Sequence, residues 1–260
     1  MSLFRHELRQ GRTALWVWTG SIAFLMVVCL FLFPEMKGEM DQVSQLFASM
    51  GSFTAAFGMD RLNFGELSGF YAIECGNIMG LGGAFFAALT AAAALSKEEK
   101  ERTAEFLLSH PVSRGHVLRA KLLAVLAQIL ILNVVVIALS LLSVKLIGEE
   151  PTKLMVQMHL AFLLMQAELA GLCFGVSAFI RGGGAGIGIG VAAVMYFLNI
   201  IVNISDKAAF LRYATPFAYC DGARISQEGS LDGKLVAVGL LLGAAGVAAA
   251  HVKFCRKDIR

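Results

Sequence analysis

Apolar residues in this chain fall in long uninterrupted blocks, and that blocking constrains the fold more than any other feature. A helix that crosses a bilayer needs about 20 mostly apolar residues in a row. Six segments meet that need, at 15–33, 70–95, 120–144, 157–180, 185–204 and 235–252. Of the 260 residues, 57% are hydrophobic and 16% charged, whereas a soluble domain carries about a quarter charged residues. The blocks leave no stretch long enough for a separate soluble domain. The expected fold is therefore an all-α integral membrane protein with six transmembrane helices. The first apolar run, LWVWTGSIAFLMVVCLFLF, is longer than a signal-peptide core and lacks an A-x-A site, so it reads as a retained helix.

Charge sets the expected topology. Six spans put both termini on one side. Fourteen of the 22 Lys and Arg fall on that side, in the segment before the first span, in 96–121, at Arg181 and in 253–260. Basic residues in short loops mark the cytoplasmic face, so both termini and 96–121 are expected in the cytoplasm. The basic residues sit in short loops between spans rather than on one accessible surface, which argues against nucleic acid as a partner.

Two further segments are amphipathic. In SLFRHELRQGRTAL, Phe4, Leu8 and Leu15 share one face and Arg5, Arg9 and Arg12 another, which predicts an N-terminal interfacial helix with basic groups toward lipid headgroups. In 36–57, Met36, Met40, Val43, Phe47, Met50 and Phe57 recur at helical spacing, which predicts an outer amphipathic helix.

Polar residues inside the spans are candidates for a solute path or for interhelical contacts. Glu74, with Asn77 one turn on, lies near the outer end of the second span, and Glu168 lies deeper, beside Gln166. An ionised carboxylate at mid-bilayer costs about 2.5–3.5 kcal/mol on insertion scales, so neither should face lipid at depth. Glycines such as Gly76, Gly80 and Gly83, and Gly184 to Gly190, suit close helix packing. Cys29, Cys75, Cys173, Cys220 and Cys255 form no C-x-x-C pair, and the five histidines are scattered, so no disulfide framework or metal site is expected. No G-x-x-x-x-G-K-[ST] loop occurs. The chain is expected to bind no cofactor directly and to hydrolyse no ATP.

The most informative stretch is SKEEKERTAEFLLSHPVSRGHVLRAK, residues 96–121. Ser96 and Glu99 form a capping box, Pro111 stops the helix, and Thr103, Phe106, Leu107 and His110 share a face. A short amphipathic helix is thus expected between two spans, and Ser113 can cap the helix that follows. Its apolar side chains need burial, against this chain's own helix ends or against a soluble partner.

This stretch resembles the conserved loop of ABC-2 type permeases, the membrane subunits of ATP-binding cassette transporters. The matching positions are Glu98 and Glu99, then Thr103, Glu105, Leu107, Leu108, Pro111, Val112, Ser113, Arg114 and Lys121, with Arg102 where a glycine is usual. The Phe4–Glu7 segment is similar to the family's interfacial elbow, and LRYATPFAY at 211–219 to its Ser-Pro-Phe phrase, with Thr215 for serine. The resemblance implies a single transmembrane domain over 1–260 in the cell membrane. It further implies an exporter that pairs with a second permease chain, the same or related, and with separate ABC ATPase subunits that supply ATP hydrolysis. A coupling helix carrying Glu101, Thr103, Glu105, Phe106, Leu107 and His110 would meet the ATPase. The competing classes are an ion- or proton-coupled secondary transporter, which should show an internal repeat, and a non-transporting membrane scaffold.

Overall fold

The computed structural model describes residues 2–38, 50–97, 113–180 and 184–256. Among them there is no strand, and six helices are long and apolar enough to cross a membrane. In chain order the helices are α1 (Ser2–Met36), the short α2 (Ser52–Ala56), α3 (Leu67–Ala93), α4 (Arg114–Leu146), α5 (Lys153–Ser177), α6 (Ala185–Ile204), the short α7 (Gly222–Glu228) and α8 (Gly233–Arg256). Two 3₁₀ stretches, Asp206–Ala214 and Pro216–Tyr219, link α6 to α7.

All six expected spans are present, and local chemistry explains where they end. The Ser113 side chain accepts from His116 N at the start of α4. The Thr152 side chain accepts from Met155 N at the start of α5. Asp232 Oδ1 accepts from Lys234 N at 2.9 Å and Leu235 N at 3.3 Å before α8. These side-chain acceptors satisfy backbone donors that the first helical turn leaves unpaired. They carry α4 and α5 several residues beyond the apolar runs. Gly148, at φ 80°, follows the last turn of α4, in a backbone conformation glycine adopts without a Cβ clash.

The N-terminal segment differs from expectation in one respect. No break separates it from the first span; both form the single 35-residue α1. At 1.5 Å per residue α1 is about 52 Å long, well beyond a hydrocarbon core of about 30 Å. The reason is tertiary. The basic end of α1 packs along α4, where Glu7 Oε1 accepts from Lys121 Nζ at 3.0 Å and Gly11 lies directly against the Gln128 amide. Of the expected outer segment, Met36 closes α1 and Ser52–Ala56 forms α2 between Gly51 and Gly58; residues 39–49 lie outside the described residues.

α5 sits at the centre of the bundle. It packs against α8 and α3, and more lightly against α4. Its contact with α8 is a crossing of backbones: Gly171 and Gly175 face Gly243 and Gly246 so closely that a Cβ on Gly175 would stand 2.7 Å from Gly246 O. α6 reaches α3 the same way, with Gly184 and Gly188 against the carbonyls of Ala92 and Ala88, whereas Gly186 and Gly190 face open space. Small residues let membrane helices approach until their backbones touch.

Candidate functional site

Three polar side chains on α5 are buried in the centre of the bundle, and each meets a different neighbour. His159 is nearest the start of the helix. Its Nε2 is 2.6 Å from the Tyr71 hydroxyl, and both residues are buried. Tyr71 opens a π-helical turn, Tyr71–Cys75, inside α3. Such a turn inserts a residue into the helix and re-aims the side chains that follow.

Two turns further along α5, Gln166 Oε1 accepts from Asn133 Nδ2 of α4 at 2.7 Å, and the same amide donates to Ile129 O at 2.8 Å. Asn133 Oδ1 and Gln166 Nε2 are buried without a protein partner. Gly83 of α3 makes room for the Gln166 amide, since a Cβ there would overlap its nitrogen.

Glu168, 2% exposed, accepts from the Tyr219 hydroxyl at 2.9 Å through Oε2. Its carboxylate lies over Gly239 of α8, where a Cβ would collide with it. Tyr219 is delivered by the phrase LRYATPFAY. Thr215 Oγ1 donates to Met195 O of α6 at 2.7 Å and accepts from Phe217 N at 3.3 Å, which fixes the turn that starts at Pro216. Burial pushes the Tyr219 phenol well above its usual range, reinforced by Cys220 and by Glu168. It therefore stays protonated and serves as the donor.

The other intramembrane candidates lie apart from this bond. Asn77 lines a cavity of about 60 Å³ together with Phe162, Tyr196, Asn199, Phe217 and Asp221; Glu168 is not part of its lining. Glu74 sits half-buried in the π-helical turn. Glu101, Thr103, Glu105, Phe106, Leu107 and His110 fall in 98–112, outside the described residues.

The two ends of that segment are described. Ser96 is buried. Its hydroxyl donates to Ala92 O at 3.2 Å and accepts from Gly184 N at 3.2 Å, which pins the end of α3 to the start of α6. Ser113 caps α4. The expected capping box pairs Ser96 with Glu99, which is outside the described residues.

Charge gathers at one end of the bundle. The Glu7–Lys121 pair joins the start of α1 to the first turns of α4, and Arg114 Nη1 donates to Phe254 O near the end of α8. Arg5, Arg9, Arg12, Arg119, Lys253 and Arg256 belong to these same three helix ends. The other end carries Lys37–Glu149 at 2.8 Å, and Lys153 Nζ and Gln157 Nε2 on Gly229 O.

Sequence reasoning missed Tyr219, Asn133 and the glycines of the α5–α8 crossing. The spacing signal existed for the glycines, at Gly171/Gly175 and Gly239/Gly243. Nothing comparable marked Tyr219 as the partner of Glu168, 51 residues away. Among the described residues, no group of three or more His, Cys, Asp or Glu could hold a metal ion.

A family model described as "ABC-2 family transporter protein" matches residues 1–259. No curated protein matches the chain at a significant level.

Proposed function

The chain belongs to the ABC-2 family of transporter proteins, a family of non-catalytic membrane subunits, and from that premise we propose that it is the permease of an ATP-driven exporter. Two permease chains, identical or related, form the substrate path, and separate ATPase subunits bind at the basic end of the bundle, in the cytoplasm. The segment carrying Glu101, Thr103, Glu105, Phe106, Leu107 and His110 is the docking and coupling element. ATP acts through the partner.

One observation supports this reading best. Ser96 anchors the coupling segment where α3 meets α6, and Ser113 anchors it where α4 begins beside α1 and α8. A displacement of the segment therefore pulls on both sides of the bundle. Such a link lets ATPase closure favour one of two arrangements of the spans, and only a differential interaction of that kind can drive a conformational change.

The test is partner binding. Burying a large apolar side chain contributes about 1.5–3 kcal/mol, so Phe106→Ala is expected to weaken ATPase binding about ten- to a hundredfold. Exposed ion pairs contribute about 0–1 kcal/mol, so Glu101→Gln should change little. Binding titrations on purified chains, with crosslinking from 101–110, measure both. Unchanged affinity for Phe106→Ala, with no crosslink to an ATPase, overturns the coupling assignment.

Orientation has its own test. In a Cys255→Ser background, Glu150→Cys is expected to react with an impermeant maleimide in intact cells. In the unsubstituted chain, Cys255 at the basic end is expected to stay protected until the membrane is permeabilised. Labelling of position 150 only after permeabilisation reverses the topology.

A further inference from the structure

We infer that the groove between the start of α1 and the first five turns of α4 is a binding site for one anionic phospholipid. The groove measures about 660 Å³. Ala120 and Ala127, two turns apart, form its floor. Leu123, Leu126 and Leu130 rise beside them, and Phe4 of α1 closes one wall. Leu123 and Leu130 are 57% and 51% exposed, so the groove opens outward and not into the bundle.

One end of this apolar channel is polar. His116 and Arg119 line it and both are exposed. Arg119 Nε donates to Gly115 O at 3.3 Å, leaving the two terminal nitrogens for an outside acceptor. A guanidinium presents them in the fork that a phosphate accepts, and the imidazole of His116 adds a ring N–H.

Length identifies the occupant. From Arg119 to Leu130 the helix rises about 16 Å at 1.5 Å per residue. One leaflet of the hydrocarbon core is about 15 Å deep. An acyl chain seated over Ala120 and Ala127 thus spans its leaflet while its phosphate sits at Arg119. Basic side chains at the membrane surface attract anionic headgroups, and the basic starts of α1 and α4 meet here. The site lies on the first turns of α4, immediately after Ser113. It does not depend on the ATPase assignment.

Native mass spectrometry on the full chain in nanodiscs of mixed phosphatidylglycerol and phosphatidylcholine reads the site. The wild type is expected to retain one phosphatidylglycerol about tenfold over phosphatidylcholine, the ratio equivalent to about 1.4 kcal/mol. Arg119→Gln should erase the headgroup preference. Ala127→Phe, which fills the floor, should lower retention of either lipid. Leu142→Phe, at the far end of α4, should leave both unchanged. Both groove positions face outward, and equal thermal midpoints of the delipidated variants verify folding; if Ala127→Phe does not fold, Arg119→Gln decides alone. Equal phosphatidylglycerol retention by wild type and Arg119→Gln overturns the site. So does competition by inorganic phosphate at headgroup-equivalent concentration, which marks an anion site, or dissociation of a dimer by Ala127→Phe with lipid retention unchanged, which marks an interface between copies.

Discussion

Gly171→Val is expected to abolish the native bundle, or to lower its thermal midpoint in detergent further than any substitution on the lipid-facing surface. A Cβ at residue 171 would stand 2.5 Å from Gly243 O and 2.8 Å from its Cα. Both obstacles are backbone, so no rotamer change relieves them. The helices must separate, and separation loosens Gly175 against Gly246 and Glu168 against Gly239 at once. Overpacking a tight core costs about 1–3 kcal/mol when side chains can move aside; here they cannot, and the cost should reach or exceed the top of that range. Gly186→Val is the matched control. It makes the same chemical change inside a membrane helix, but nothing lies within 4 Å of its Cβ, so its midpoint should stay close to wild type. Equal midpoints for the two variants would show that the crossing does not hold the bundle together.

The second large effect is expected at Glu168. Glu168→Leu removes the acceptor for the Tyr219 hydroxyl and puts a branched side chain over Gly239. An orphaned buried hydroxyl costs about 1–3 kcal/mol, and the misfit adds an overpacking cost of similar size. Glu168→Gln keeps an acceptor oxygen at nearly the same length and should fold and transport close to wild type. The bond itself is measured by a double-mutant cycle with Tyr219→Phe. Interhelical hydrogen bonds in membranes contribute about 0.6 kcal/mol on average and up to about 1.7 kcal/mol. The cycle should return a coupling in that range, with Tyr219→Phe adding little once Glu168 is Leu. Strict additivity, or wild-type assembly and flux for both Glu168 variants, would make the contact incidental.

These two sites show which parts of the structure could be read from the sequence. The spans were legible because lipid requires uninterrupted apolar runs, and each run became a helix. Ser113 was legible as a cap because capping is local: the acceptor and the donor it satisfies are three residues apart. The burial of Glu168 followed from the cost of exposing a carboxylate to lipid. Its partner did not, because Tyr219 arrives through the fold of 206–219 and the Thr215 tie to Met195. Likewise, glycine spacing says that a helix can be approached closely, but not by which neighbour. Gly171 and Gly243 meet because α5 and α8 cross. The continuity of α1 was hidden for a similar reason. Gly11 and the polar residues around it weaken a helix taken alone, and contact with Gln128 and Lys121 of α4 supports it.

The length of α1 has a mechanical consequence. Its start is tied to α4 by Glu7 and Lys121, and its end to the residues just past α4 by Lys37 and Glu149. Between these ties the two helices pack along each other. Two rods laid side by side over this length are harder to bend than either alone; of the two end ties, Glu7–Lys121 is largely buried and Lys37–Glu149 is solvent-exposed and contributes about 0–1 kcal/mol. α4 meets α5 more lightly than it meets α1, and there the Asn133–Gln166 amide pair supplies a hydrogen bond between the two helices.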